Sequence, residues 1–198
     1  MKSASDIAIQ VPYFSQHRDV HDESWKSRAC GAVCLKMVLE FFGQKRSLAV
    51  PTVDELIQEG IAIRATSEAG WIHTRVALLA HNHGFPAYNE EFRSVKVDYD
   101  KQRFSEGEHT EQLMRYGITK IAETLRSGRP VIASVSKRFE HKELFHQVVL
   151  TGVRGAGPNL QGFFYNDPDY MNSEEGSHRF VDLATFTEHW RRFAIFVA

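Results

Sequence analysis

Four residues spread along this 198-residue chain have types that work together in acyl transfer: Gln16, Cys30, His146 and Asp167. Cys30 opens the run CGAVCLKMVLEFFG, where Ala32, Val33, Leu35, Met37, Val38, Leu39, Phe41 and Phe42 predict a helix that is apolar on nearly every side. A thiol in the first turn of such a helix meets the positive end of the macrodipole and backbone N–H groups with no helical partner. That setting favours thiolate, the nucleophilic form. His146 heads the apolar run HQVVLTGV, and Asp167 closes the next one, GFFYND. If these two strands pair as an antiparallel hairpin, the start of the first lies beside the end of the second, and imidazole meets carboxylate. His146 would then hold the Cys30 thiolate as an ion pair and later protonate the leaving group, with Asp167 fixing the ring's tautomer. Gln16 follows the N-terminal strand. Its uncharged amide and the Cys30 backbone N–H would give two donors to a tetrahedral oxyanion, and losing one such donor costs about 2.7–4 kcal/mol of barrier.

Each residue also has a plainer reading. Free cysteines are mostly small buried hydrophobes, and a histidine at the head of an apolar strand is more often a satisfied core residue. Asp167 before Pro168 fits a turn-initiating role, and Asp169 or Asn166 is an alternative orienter. Gln16 by itself would only solvate a loop. The company of all four favours chemistry over packing. Cys34, one turn beyond Cys30, reads as packing within the helix. A zinc site built from Cys30, Cys34 and histidines is disfavoured, since the cysteine spacing is not CxxC and the helix is too apolar for an open ligand cage. His81 and His83 fit the last turn of a helix, where a cationic ring meets the negative dipole end. His73 has no evident partner, and Trp25 and Trp71 fit either a cleft wall or a core.

The elements that must position these residues follow from local pattern. Ile7, Ile9 and Val11 alternate in a short strand stopped by Pro12, and residues 17 to 29 read as a loop. Gly43 fits the stop of the cysteine helix. Thr52 and Glu55 form a capping box for a short helix to about Glu59. Gly60 to Gly70 reads as a loop, and a helix then runs from Trp71 to a stop at Gly84. Phe85 to Glu90 reads as a strand. The charged stretch from Phe92 to Glu111 lacks apolar periodicity and reads as an insertion or a mobile flap. Ile118, Ile121, Ala122 and Leu125 mark a helix ending at Ser127-Gly128. Strands are predicted at 131 to 136, 146 to 153, 162 to 167 and 193 to 197, with GAGPN as a hairpin turn and a short helix near Thr185 to Trp190. Helices first and strands last predict an α+β fold with an antiparallel sheet.

Composition bounds the rest. The length suits a single domain, residues 1 to 198, burying roughly 70% of its unfolded surface. Hydrophobic residues at 42% and charged residues at 25% are ordinary for a globular chain. A net charge of −1 gives no field for nucleic acid or an anionic membrane surface, so neither is expected as a partner. Two cysteines four apart in a helix are poorly placed to pair. No signal peptide or membrane span is visible, which makes the cytoplasm the default location, although a chain trimmed of its leader would look the same.

The order of motifs is VPYFSQ, then ACG opening an apolar helix that ends FFG, then GW before a helix ending HGF, SGRPVIASV, FHQVVLTGV, YNDPD and TFTEHW. This order resembles the papain-like peptidases related to the double-glycine leader peptidases of bacteriocin exporters, and most of all their stand-alone relatives, over roughly residues 9 to 197. The resemblance implies a papain-like fold with helices packed on a C-terminal antiparallel sheet. It also implies Cys30 as nucleophile, His146 as general base, Asp167 as orienting acid and Gln16 as oxyanion donor. A peptide or protein would be the substrate, cleaved at a peptide or isopeptide bond through a thioester, with no cofactor and no metal. The same residues would serve an amidase or acyltransferase acting on a small amide, and a peptide-binding module would keep the fold without the chemistry. The chain lacks a transporter's membrane and nucleotide-binding regions, so leader processing coupled to export is not implied.

Overall fold

A computed structural model of the chain describes residues 6–68, 70–98 and 103–198. In chain order its elements are β1 (Ile7–Ala8), α1 (Cys30–Arg46), α2 (Val53–Ala62), β2 (Thr66–Ser67), β3 (Gly70–Trp71), α3 (His73–Asn82) and β4 (Ala87–Glu91). These are followed by β5 (Val95–Asp98), β6 (Arg103–Glu106), α4 (Thr110–Arg126), β7 (Val131–Lys137) and β8 (His141–Arg154). Then come β9 (Gly162–Asn166), α5 (Ser173–Gly176), β10 (Arg179–Asp182), α6 (Leu183–His189) and β11 (Trp190–Val197). The main sheet runs β10-β9-β8-β7-β11-β4 and every pairing in it is antiparallel. β1 joins beside β8 past the end of β7, setting Ala8 against Gly152. A Cβ at Gly152 would stand 2.1 Å from the Ile7 carbonyl oxygen, so glycine is what admits β1 there.

Every residue from Val131 to Ser136 and from His146 to Val153 is buried, so the middle of the sheet is covered on both faces. α1 and α4 both pack on β8 and β7, while α6 packs on β9, β10 and β7. α1 lies deep in this core, with Gly31 to Leu39 and Phe41 to Gly43 all buried. The fold is α+β with a large antiparallel sheet, as expected, and no helix among the described residues is long and apolar enough to cross a membrane.

Local boundaries differ from the pattern in instructive places. α1 does not stop at Gly43; it runs one turn further to Ser47, which takes the left-handed conformation (φ 55°) and donates its N–H to the Gly43 carbonyl. Gly43 is needed for space, since a Cβ there would meet Val50 Cγ2 at 2.4 Å. The capping box at Thr52 and Glu55 forms, and its helix continues to Ala62. The loop from Gly60 contains the two-residue strands β2 and β3, and the helix expected from Trp71 begins at His73. GAGPN holds a 3-10 turn at Gly157–Asn159. α5 and β10 lack any apolar period that would have announced them. The stretch read as an insertion or flap contains a two-stranded ribbon in which Val95 faces Glu106 and Val97 faces Phe104; residues 99–102 lie outside the described residues. Val95, Val97 and Phe104 are exposed, so this ribbon has no buried face to print a pattern in the sequence.

Candidate active site

Cys30 is the first residue of α1. Its N-cap, Ala29, supplies no side-chain hydrogen bond, and the first turn holds no acidic residue, so the helix's positive end is left open to a thiolate. Cys30 is partly exposed, whereas Cys34 is wholly buried and donates its S–H to the Gln147 carbonyl at 3.2 Å. Burial pushes the Cys34 thiol well above its ordinary range, leaving it inert packing. Trp71 braces the mouth of the helix. Its Nε1 donates to the Arg28 carbonyl at 2.8 Å, and its ring lies where Cβ atoms at Gly31 and Gly60 would be, at 2.4 and 2.7 Å.

The hairpin of β8 and β9 forms as the sequence suggested. Val149 stands opposite Asn166, with one irregularity between Leu150 and Gly152. This register brings His146 Nε2 to 2.7 Å from Asp167 Oδ1, with both side chains almost fully buried. Asp167 Oδ1 also accepts the backbone N–H of Asp169 at 2.9 Å, and Tyr13 ties the turn down by donating its hydroxyl to the carbonyls of Asp167 and Tyr170. Burial acts to lower the His146 pKa. The Asp167 charge and hydrogen bond, with a smaller part from Cys30, outweigh it and raise that pKa to about 10. Burial acts to raise the Asp167 pKa, and His146 with the Asp169 N–H holds it below the usual carboxylate range. Each partner therefore favours the charged form of the other, and Nδ1 is the ring nitrogen that does not meet Asp167. Cys30 and His146 both line two cavities, of about 210 and about 320 Å³.

Of the three residues the sequence allowed as orienter, Asp167 alone reaches His146 among the described residues. Asn166 donates instead to the Val11 carbonyl at 3.3 Å and accepts the His178 N–H at 3.1 Å. Asp169 turns the other way. Its Oδ1 accepts the Gln16 side-chain amide at 2.7 Å and lies 3.0 Å from Lys137 Nζ and 3.2 Å from His17 Nε2, while Arg138 stands 3.4 Å from Oδ2. Gln16 is buried beside this turn, its own N–H donating to the Pro168 carbonyl at 2.9 Å. The walls of the two cavities at Cys30 do not include Gln16. Asp169 decides which way the amide faces, because a flipped Gln16 would set its oxygen against the carboxylate. One amide N–H of Gln16 remains to be donated.

Three residues near the site have surroundings that the sequence pattern does not announce. The role of Asp169 as the anchor of Gln16 spans 153 residues and leaves no local trace. His73 lines the smaller cavity and stacks flat on Phe193, with centroids 4.6 Å apart and planes 3° apart. Arg191 lies in the same wall, in a run of charge and aromatics with no period. His83 is also not simply a dipole cap: its Nε2 bonds Glu59 of α2 at 2.6 Å.

A cysteine in an open helix terminus, on a sheet that holds a buried histidine–aspartate pair, is the layout of the papain-like cysteine peptidases. Residues 8–195 match the model of the Peptidase_C39 like family, and the chain belongs to that family, which makes it a cysteine peptidase-like hydrolase. Among solved structures, a C39-like peptidase from Bacillus anthracis is 14% identical with a TM-score of 0.63, covering 98% of each chain. A double glycine motif protease from an AMS/PCAT transporter, in complex with its leader peptide, is 18% identical with a TM-score of 0.54, covering 97% of this chain and 96% of that one. The peptidase domain of Streptococcus ComA, a bi-functional ABC transporter, is 18% identical with a TM-score of 0.51, covering 98% and 97%. At these identities the likeness is one of fold. A comparison with curated proteins finds no match.

Proposed function

We propose that the protein hydrolyses a peptide or isopeptide bond through a thioester on Cys30, with His146 as acid and base, Asp167 as orienter and Gln16 as oxyanion donor. The observation that carries this reading is the buried 2.7 Å contact between His146 and Asp167 at a cavity wall shared with Cys30. Cys30 Sγ attacks the carbonyl carbon, and the oxyanion takes hydrogen bonds from the Cys30 N–H and the remaining Gln16 amide N–H. His146 gives its proton to the nitrogen of the breaking C–N bond, and the amine leaves. Water then loses a proton to His146 and attacks the thioester, releasing the acid and restoring the thiolate and imidazolium. The leader peptide bound to the AMS/PCAT relative supports a peptide as the substrate class.

The test is the pH dependence of iodoacetamide labelling, read by mass spectrometry at Cys30 beside Cys34. Labelling of Cys30 is expected to stay fast well below the free thiol pKa of about 8.5 and to slow in His146→Ala. An ordinary thiol profile in both proteins would sink the ion pair. Turnover of an unbiased peptide library should vanish in Cys30→Ala, with stability changed by less than about 1 kcal/mol.

A further inference from the structure

The two cavities at Cys30 differ in charge. The larger cavity sets Glu68 and Glu143 against Arg28 and Lys137. Among the described residues of the smaller one, about 210 Å³, no carboxylate lines the wall and Arg191 is the one guanidinium or ammonium group. Arg191 has no anionic partner among the described residues: its guanidinium lies 3.5 Å over the Phe145 ring and feels repulsion from Arg93, which is itself paired with Glu91. A half-buried cation without a counterion is a group that an incoming anion would relieve. Beside it, His73 is held by its stack on Phe193, and its Nε2 is buried with no hydrogen-bond partner among the described residues. Ser134 lines the same wall with a hydroxyl that bonds no other described residue.

The backbone places Arg191 there by an irregularity. Between Trp190 and Ala194, β11 advances four residues while its partner β7 advances two, Val135 to Ala133, and Arg192 takes a left-handed φ of 63°. Bulges of this kind re-aim side chains and concentrate beside functional sites. The result brings Arg191 and Phe193 into one wall with Cys30 and His146.

We propose that this cavity is a carboxylate-selective subsite, receiving a substrate residue next to the bond under attack that carries an acid as an Asp or Glu side chain or as the chain terminus. Arg191 is its charge partner and the Ser134 hydroxyl its donor, with the His73 ring as a packed wall. The inference rests on Cys30 being the thiol that meets the peptide, and its test needs no turnover.

Wild type, Arg191→Gln and Arg191→Lys are alkylated with two matched pairs of reagents: N-iodoacetyl-aspartate amide against N-iodoacetyl-asparagine amide, and N-iodoacetyl-glycine against its amide. In every case the thiolate sulfur forms a C–S bond as iodide leaves, and the rate at Cys30 is read by mass spectrometry. In wild type at low salt an acid is expected to react about tenfold faster than its neutral match, with the advantage shrinking as salt rises. Arg191→Gln should remove most of that advantage and Arg191→Lys keep part of it. A preference in the aspartate pair assigns a side-chain acid, and one in the glycine pair assigns a terminus. An acid-to-neutral ratio near one in wild type, or one unchanged by Arg191→Gln, overturns the subsite. Slow labelling by all four reagents, insensitive to His146→Ala, overturns the catalytic reading of Cys30 instead, and the acid-to-neutral ratio still decides the subsite.

Discussion

Asp169 accepts the Gln16 amide with its side chain and donates its own N–H to Asp167, so one residue ties the proposed oxyanion donor to the proposed orienter. In Gln16→Ala, kcat should fall about 10²- to 10³-fold. If Asp169 acts through Gln16, adding Asp169→Asn to that variant should cost little more, and the double-mutant cycle reads this directly; additive losses in kcat would mean that Asp169 acts independently of Gln16. This connection could not be read from the sequence, because it joins a loop near the start to a turn near the end. The His146 and Asp167 pairing could be read, since two adjacent apolar runs that form a hairpin leave few registers open.

Trp71 shows why some of the site is legible only in three dimensions. It fills the space over Gly31 and Gly60 and holds the Arg28 carbonyl, fixing the loop that delivers Cys30 to the first turn of α1. In sequence, Gly31 looks like a loose neighbour of Cys30 inside a helix, where alanine would ordinarily gain about 0.8–1.0 kcal/mol. Here Gly31→Ala should instead destabilise by about 1–3 kcal/mol, because Trp71 is held from two sides and cannot yield. It should also lower the labelling rate at Cys30 without touching any reacting group. A melting curve and the iodoacetamide rate check both. The ribbon of β5 and β6 was illegible for another reason. Its exposed apolar residues mimic a charged irregular stretch, and its attachment to the sheet is a side-chain one, Arg192 Nη1 to Glu106 Oε1 at 2.6 Å.

At the scale of the molecule the buried pair links stability to pH. A histidine whose pKa rises on folding from 6.5 to about 10 adds stability that is complete below pH 6.5 and fades as pH climbs through 10. Asp167 shifts the opposite way, so its contribution is present above pH 3.8 and is lost as pH drops through its lower folded value. The gap in Tm between wild type and His146→Gln should therefore be widest between roughly pH 4 and 6.5 and close toward pH 10. A gap that is flat with pH would refute the charged pair. One more property follows from the packing around the cleft. Trp71 lines the smaller cavity, and Trp25 stands 6.0 Å from it, while Trp190 is stacked on Phe186 away from that wall. The indole fluorescence of this protein is thus weighted toward its cleft. A peptide settling beside position 30 should shift the emission of unlabelled Cys30→Ala protein, so the molecule carries its own optical gauge of occupancy before any bond is cut.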